Sequence, residues 1–419
     1  MTDDLVVIGL GYVGLPLAQE AVRSGHRVVG LDTSPTVVAE LNAGRSHVDD
    51  LSDADIAAMV AGGFRATTDP TCLAAASVIV ICVPTPLDSD AGPDLGSVMA
   101  ATHAVAEHVR PGTLVVLEST TYPGTTEDLL RPVLEAAGLR VGTDLHLAFS
   151  PERIDPGNPR FGLRNTPKVV GGVTAACGAR AAEFYATVVD EVVVVPRARE
   201  AELTKLLENT YRHINIALVN EMAKFCHELD IDLWSVIDAA ATKPFGFAAF
   251  RPGPGVGGHC IPIDPNYLSY KVRNDLGYPF RFVELAQEIN SSMPSYVVDR
   301  AAEILKDAGL TLGGARVLVL GVSYKRDIAD DRESPASDVA RALHERGATV
   351  VYDDPVMGEW AHCPVPAERA ADLGQELADC DVAILLQDHS AYDLDALASC
   401  GARVLDTRGR LTGPTVERL

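Results

Sequence analysis

This sequence has no Cys-x-x-Cys pair and no Cys/His spacing of the kind that holds zinc, which disfavours a zinc site. Its eight cysteines, at 72, 82, 177, 226, 260, 363, 380 and 400, are dilute over 419 residues. They do not make a disulfide framework, and reduced thiols of a cytosol fit them best. Long apolar runs are also missing: none approaches the ~20 residues needed to span a bilayer. The opening Met1-Thr2-Asp3-Asp4 is acidic where a signal peptide is basic, and the apolar run after it is cut by Gly9, Gly11 and Gly14. The expectation is a cytoplasmic protein without membrane insertion. Basic charge is scarce as well. Against 58 acidic residues stand 35 basic ones, a formal net charge of -23 that repels nucleic acid and anionic membrane. Any phosphate bound here needs a local basic site or a helix N-terminus. Low-complexity segments and short repeats are absent, whereas 47% hydrophobic residues suffice for cores in two to three domains.

What is present begins with a β-rich run, Leu5-Val6-Val7-Ile8, leading into Gly9-Leu10-Gly11-Tyr12-Val13-Gly14 and then a helical pattern from Leu15 to Val22. In this strand, glycine turn and helix, Gly9 permits the tight turn, Gly11 lets backbone approach a pyrophosphate, and Gly14 lets helix and strand pack closely. A second run, Arg27 to Leu31, ends at Asp32, where an acid binds the adenosine ribose hydroxyls and repels a 2′-phosphate. NAD is therefore favoured over NADP.

Further strands are predicted at 78–83, 114–117, 145–149 and 192–195, separated by helical stretches. Near-continuous apolar strands alternating with helices predict a parallel sheet covered on both faces, with ligands beyond the strand C-termini. Those ends carry Pro84-Thr85-Pro86, Glu118-Ser119-Thr120-Thr121 and Ser150-Pro151-Glu152-Arg153. From about 200 to 227, Leu203, Leu206, Leu207, Tyr211, Ile214, Leu218 and Met222 recur at helical spacing without Gly or Pro, predicting one helix of about 40 Å. Lys205 and Asn209 share a face of it. Helical pattern returns at 233–241 and 284–293. Strands at 315–321, 349–353, 382–386 and 403–406 open a second nucleotide fold without a GxGxxG of its own. There phosphate recognition must use side chains, with Lys325 and Arg332 as candidates.

The segment Gly253-Pro254-Gly255-Val256-Gly257-Gly258-His259-Cys260-Ile261-Pro262-Ile263-Asp264-Pro265 is so rich in Gly and Pro that it reads throughout as a rigid loop, presenting Cys260 to a pocket. His259 is adjacent to Cys260, but adjacent side chains commonly diverge, so a loop or substrate contact suits it better than a base.

Together these motifs resemble the UDP-glucose/GDP-mannose dehydrogenase family over the whole chain. The resemblance implies an α/β protein of two Rossmann-like doubly wound parallel-sheet domains joined by a helical central domain with one long helix. The domains expected are an NAD-binding one at 1–196, a central dimerisation one at 197–295 carrying the cysteine loop, and a nucleotide-sugar-binding one at 313–419. It implies a thiol nucleophile in Cys260 with Asp264 beside it, while Thr120, Glu152, Lys205 and Asn209 match residues that handle water, hydroxyl and oxyanion. The implied cofactor set is Gly9, Gly11, Tyr12, Val13, Gly14, Asp32, Thr85, Thr120 and Arg332. The implied substrate set is Glu152, Arg153, Lys205, Asn209, Arg251, Gly257 and Lys325. No metal is expected, and a homodimer is.

The activity implied is oxidation of C6 of a nucleotide sugar to the uronic acid, with two NAD per turnover and a thiohemiacetal and thioester on Cys260. The loops around Glu152 and Cys260 are similar to members that oxidise UDP-N-acetylhexosamines, with UDP-glucose also open. Asp406-Thr407-Arg408-Gly409 departs from the pattern, because many members have asparagine after the arginine. Two alternatives stay open: a two-electron alcohol or hydroxyacid dehydrogenase with a structural Cys260, and a catalytically silent nucleotide-sugar sensor.

Overall fold

A computed structural model of the chain describes residues 4–48, 50–87, 92–155, 158, 160–258 and 261–419. The chain divides into two compact units. One comprises residues 1–208 with 266–278, the other 209–265 with 279–419.

The first unit is built on eight strands: β1 (Asp4–Ile8), β2 (Arg27–Leu31), β3 (Arg65–Thr67), β4 (Val78–Ile81), β5 (Leu114–Leu117), β6 (His146–Phe149), β7 (Lys168–Gly172) and β8 (Val192–Val195). They lie in the order β3-β2-β1-β4-β5-β6-β7-β8. Val6 is flanked by Val29 and Ile79, so the chain reverses its direction of travel across the sheet between β1 and β4. That is the crevice where doubly wound sheets bind nucleotides. Helices cover both faces of the central strands, so there neither set of alternating side chains meets water, whereas the edge strand β8 leaves Val193 and Val194 exposed. Leu5, Val7, Val78, Val80, Leu114 and Val116 enter one core, while Val6, Ile8, Ile79, Ile81, Val115 and Leu117 enter the other. This is why the strands read as unbroken apolar runs.

One pairing departs from the expected all-parallel sheet. β6 and β7 run antiparallel, with Phe149 opposite Gly171, because the connection from 150 to 167 returns on the side where β6 ends. Gly172 cannot carry a side chain, since a Cβ there would sit 2.1 Å from the Gly178 nitrogen of the covering helix Ala175–Tyr185.

The second unit repeats the plan with six parallel strands: β9 (Arg316–Leu320), β10 (Thr349–Asp353), β11 (Ala367–Arg369), β12 (Val382–Leu385), β13 (Val404–Asp406) and β14 (Val416–Arg418). Their order is β11-β10-β9-β12-β13-β14, with the same reversal beside the first strand of the set. The predicted long helix spans Ala198–Glu228, and the boundary between the units falls within it.

Two helix limits differ from expectation. Helix Arg281–Asp307 passes through Pro294 and continues, although an interior proline costs about 3 kcal/mol. Burial of Met293, Val297, Val298 and Ala301 in the second unit's core outweighs that cost. The glycine-proline segment does not stay irregular to its end either, because helix Asp264–Leu276 starts at Asp264. Pro265 is tolerated there, since first-turn N–H groups have no helical partner to lose. Among the described residues no helix is long and apolar enough to cross a membrane.

Candidate active site

The turn after β1 is shaped as a dinucleotide cradle. Gly9 has φ +90°, and a Cβ on it would lie 2.7 Å from the Cys82 carbonyl oxygen; one on Gly14 would lie 1.9 Å from the Gly9 oxygen. By contrast, no atom lies within 4 Å of where a Gly11 Cβ would stand, so the outer side of the turn is open to a ligand while its inner side is closed by packing. Asp32, just past β2, is aimed by two amides: its Oδ2 accepts from Leu10 (3.0 Å) and its Oδ1 from Ser34 (2.9 Å). Tyr12 stays exposed on the turn while Val13 packs on the core. The Thr85 carbonyl, on the loop after β4, accepts from the Tyr267 hydroxyl. The open turn, the helix N-terminus of Gly14–Arg23 and the oriented acid fit NAD.

The loops after β5 and β6 meet over a buried charge cluster. Glu118, Glu152 and Lys168 are all buried. The Lys168 Nζ lies 2.9 Å from Glu118 Oε2 and 3.3 Å from Glu152 Oε2, and the Tyr185 hydroxyl donates to the other Glu118 oxygen. Burial alone pulls the Lys168 ammonium down, but the two carboxylates outweigh it and raise it to about 12. Burial pushes the Glu118 carboxyl up, against the pull of Lys168. Glu152 Oε1 accepts from the Arg153 and Ile154 amides, both at 2.6 Å. The Arg153 guanidinium is turned to Glu208 (2.7 Å) and to the Pro167 carbonyl (2.7 Å), which braces the loop. Beyond Glu118, the Thr120 hydroxyl lies 2.6 Å from the Nζ of Lys205.

In the second unit, Asn209 Nδ2 donates to Asp264 Oδ2 at 2.5 Å, and Asp264 is buried. The long helix and the end of the cysteine segment thus meet through a pair 55 residues apart in sequence. The segment is anchored at its start, where Asn220 Oδ1 accepts from the Gly253 amide (2.9 Å) and Asn220 Nδ2 donates to Asn290 (2.9 Å). Gly257 is required by close approach: a Cβ would stand 2.7 Å from the Glu333 carbonyl oxygen. His259 and Cys260 lie outside the described residues.

Lys325 is half-buried on the loop after β9. Two residues that sequence reasoning passed over hold this loop: Asp354 accepts from the Val322 (2.7 Å) and Ser323 (3.1 Å) amides, and the His389 ring bonds Ser323, Asp354 and the Asp327 amide. No local motif marked them, since each is an ordinary residue at a strand end. Arg332 is bidentate with Asp330, and Arg251 reaches Asp238 (2.5 Å) over the Trp234 ring. The departure at Gly409 has a physical reason. Its φ is +62°, a region open to Gly and Asn, but a Cβ would stand 2.4 Å from the Trp234 ring, so here only Gly fits.

Sequence comparison bears on this arrangement directly. Models of the UDP-glucose/GDP-mannose dehydrogenase family match in three consecutive pieces: the NAD binding domain over residues 3–189, the central domain over 199–292 and the UDP binding domain over 318–412. The chain belongs to the UDP-glucose/GDP-mannose dehydrogenase family. Within that family it is 33% identical over 394 residues to a UDP-N-acetyl-D-mannosamine dehydrogenase of Methanococcus maripaludis, covering 93% of this chain and 86% of that protein. It is 35% identical over 418 residues to an NDP-N-acetyl-D-galactosaminuronic acid dehydrogenase of Ralstonia solanacearum, covering 96% and 95%. The solved structure of a UDP-D-ManNAc dehydrogenase from Pyrococcus horikoshii superposes with a TM-score of 0.88 at 30% identity over 99% of this chain and 98% of that one. Membership makes this protein an NAD-dependent nucleotide-sugar dehydrogenase.

Proposed function

We propose that this enzyme oxidises C6 of a UDP-N-acetylhexosamine, with UDP-N-acetylmannosamine the first candidate, to the uronic acid through a covalent intermediate on Cys260. The substrate assignment is supported by the relatives named above, and UDP-glucose is the competitor. The observation that carries the site reading is the 2.5 Å Asn209–Asp264 hydrogen bond, which ties the long helix to the residue four beyond Cys260.

Taking a primary alcohol to a carboxylate removes four electrons: the alcohol, two NAD and one water become the carboxylate, two NADH and three protons, with NAD accepting one hydride in each oxidation. Lys205, held by Thr120, receives the C6 oxygen and stabilises it while its proton passes through water to Asp264. Cys260 Sγ then bonds to C6 of the aldehyde, so a reactive carbonyl is not released. Lys205 and Asn209, one helical turn apart, stabilise the tetrahedral oxyanion. After the second oxidation water attacks the thioester, its proton passes to Glu152 or Asp264, and the Cys260 sulfur leaves as thiolate. Lys325 and Arg153 are assigned to the nucleotide sugar, with Gly257 giving backbone access to it, and Arg251 to its phosphates; Arg332, Thr85 and Thr120 are assigned to the border with the cofactor.

We also assign three functional domains, at 1–196, 197–295 and 313–419, a cytoplasmic location, and a homodimer formed through the long helix. Tyr211, Leu218, Phe225 and Leu229 on or just past that helix are exposed, more apolar surface than an isolated helix face ordinarily shows water. Light scattering at micromolar concentration is expected to give a dimer, and a monomer defeats that assignment.

NADH yield per mole of limiting substrate, across UDP-N-acetylmannosamine, UDP-N-acetylglucosamine, UDP-glucose, dTDP sugars and GDP-mannose, tests the whole reading. Two NADH from one of these, lost in Cys260→Ser, is the expected result. One NADH, or an active Cys260→Ser, makes the enzyme a two-electron dehydrogenase with a structural thiol, and no NADH from any of them favours the silent sensor.

A further inference from the structure

Lys168 is the first residue of β7 and is only 3% exposed. A lysine in an apolar sheet is costly unless its charge is paired, and here it stands between two carboxylates delivered by different loops. Glu118 comes from the end of β5 and Glu152 from the loop after β6. Tyr185, at the end of the covering helix, closes the set: its hydroxyl donates to Glu118 and its ring lies 5.4 Å from the Lys168 Nζ.

The two oxygens of Glu152 are not equivalent. A carboxylate has about four lone-pair positions, two on each oxygen. Both positions on Oε1 are taken by the Arg153 and Ile154 amides of its own loop. A proton that Glu152 accepts therefore arrives at Oε2, the oxygen 3.3 Å from the Lys168 ammonium. The cluster holds two carboxylates against one ammonium. The other titratable groups facing it, the Cys82 thiol and the Tyr185 phenol, are both pushed up by burial and neutral, while Arg153 is engaged with Glu208. The cluster therefore carries one negative charge more than its ammonium offsets, with the lysine set between Glu118 and Glu152.

We propose that Lys168 is a positioning residue for Glu152, holding it ionised through Oε2, with Glu118 as the competing carboxylate that makes Glu152 readier to take a proton. This rests on the reading of Glu152 as the group that receives the proton of the hydrolytic water. Removing the cation leaves two buried carboxylates facing each other, so one protonates and the base is lost until higher pH. Removing the Glu118 charge has the opposite sign, because Glu152 then keeps the cation to itself.

The test compares pH profiles of kcat for wild type, Lys168→Met, Lys168→Arg, Glu118→Gln and Glu152→Gln, with intact-protein mass measured during turnover. In Lys168→Met we expect kcat to fall about a hundredfold with KM little changed, the acidic limb to move up by about one pH unit or more, and a substrate-derived adduct to accumulate. Lys168→Arg is expected to restore the rate, and Glu118→Gln to move the limb down. Limbs that stay in place or move the same way in Lys168→Met and Glu118→Gln, with Glu152→Gln slowed, overturn the inference and leave Glu152 as the base. A Glu152→Gln enzyme with wild-type kcat sinks the reading of Glu152 and the Lys168 inference with it. If Lys168→Met does not fold, the near-isosteric Glu118→Gln decides alone: a downward shift supports the inference and an unmoved limb overturns it.

Discussion

The loop after β1 and the loop after β9 occupy equivalent places on two sheets of the same plan; each opens on a crowded positive-φ glycine, Gly9 or Gly321, and gives an amide to an aspartate past the neighbouring strand, Asp32 or Asp354, yet they are completed by different means. The first is shaped by backbone: Gly9 and Gly14 let carbonyls and strands approach where no side chain fits. The second is held by side chains, with Asp354 and His389 taking its amides. A glycine turn offers a phosphate only N–H groups and a helix N-terminus, whereas a side-chain-held loop can present a cation such as Lys325. Under the proposed function, these are the two local anion-binding features that an acidic protein needs.

Buried carboxylates sharpen the contrast. In the first unit Glu202 accepts from the Gly124 (2.5 Å) and Thr126 (2.9 Å) amides and from the Thr126 hydroxyl (2.7 Å). Burial nevertheless dominates and raises it to about 7. For Asp354 burial also pushes upward, but the His389 hydrogen bond and charge, with several amides, win and hold it below the ordinary range. Similar caps therefore carry opposite pH signatures, because Asp354 has an imidazole N–H donor beside its amides and Glu202 has none.

Four changes test this comparison, in descending order of effect. Gly14→Ala forces a Cβ to within 1.9 Å of the Gly9 oxygen; it is expected to cost about 3 kcal/mol of stability and to weaken NAD about a hundredfold, read by thermal melting and NAD titration. Next is the pH dependence. The contribution of Glu202 is fully present below its ordinary value of 4.5 and is lost as pH rises through about 7, about 3 kcal/mol in all. Asp354 contributes above its ordinary value of 3.8, and that contribution is lost as pH falls through its lower folded value. Melting at about pH 5 and pH 8 should show the Glu202 loss in wild type and not in Glu202→Gln; equal slopes in both would refute it. Third, Gly409→Ala, pressed against Trp234, is expected to cost about 2 kcal/mol and to change tryptophan fluorescence, while NAD affinity stays put. Last, His389→Ala is expected to raise KM for the nucleotide sugar about fivefold by loosening the Lys325 loop, again without touching NAD affinity. A change in NAD affinity from either of the last two would break the division of labour between the sheets.

The turn after β1 was legible because its signal is local. Four residues, Gly9, Gly11, Gly14 and Asp32, fall at spacings that a strand, turn and helix impose, and the apolar runs of most strands could be read because both faces of each sheet are covered. Short or atypical strands escaped: β3, β11 and β14 are three residues each, and β7 begins with a lysine. The proline inside helix Arg281–Asp307 hid the continuation of that helix.

By itself the sequence determined the alternation of strands and helices, the nucleotide turn, the family resemblance and the residue types offered to the site, since these follow from periodicity and from backbone freedom at glycine and proline. Only the tertiary structure decided the antiparallel turn of β7, the burial of Lys168 between Glu118 and Glu152, the grip of Asp354 and His389 on the Lys325 loop, and the need for Gly409 beneath Trp234. Each joins residues tens of positions apart or more. Whether such a charge is paired or such a glycine is crowded is a property of neighbours that chain order does not encode.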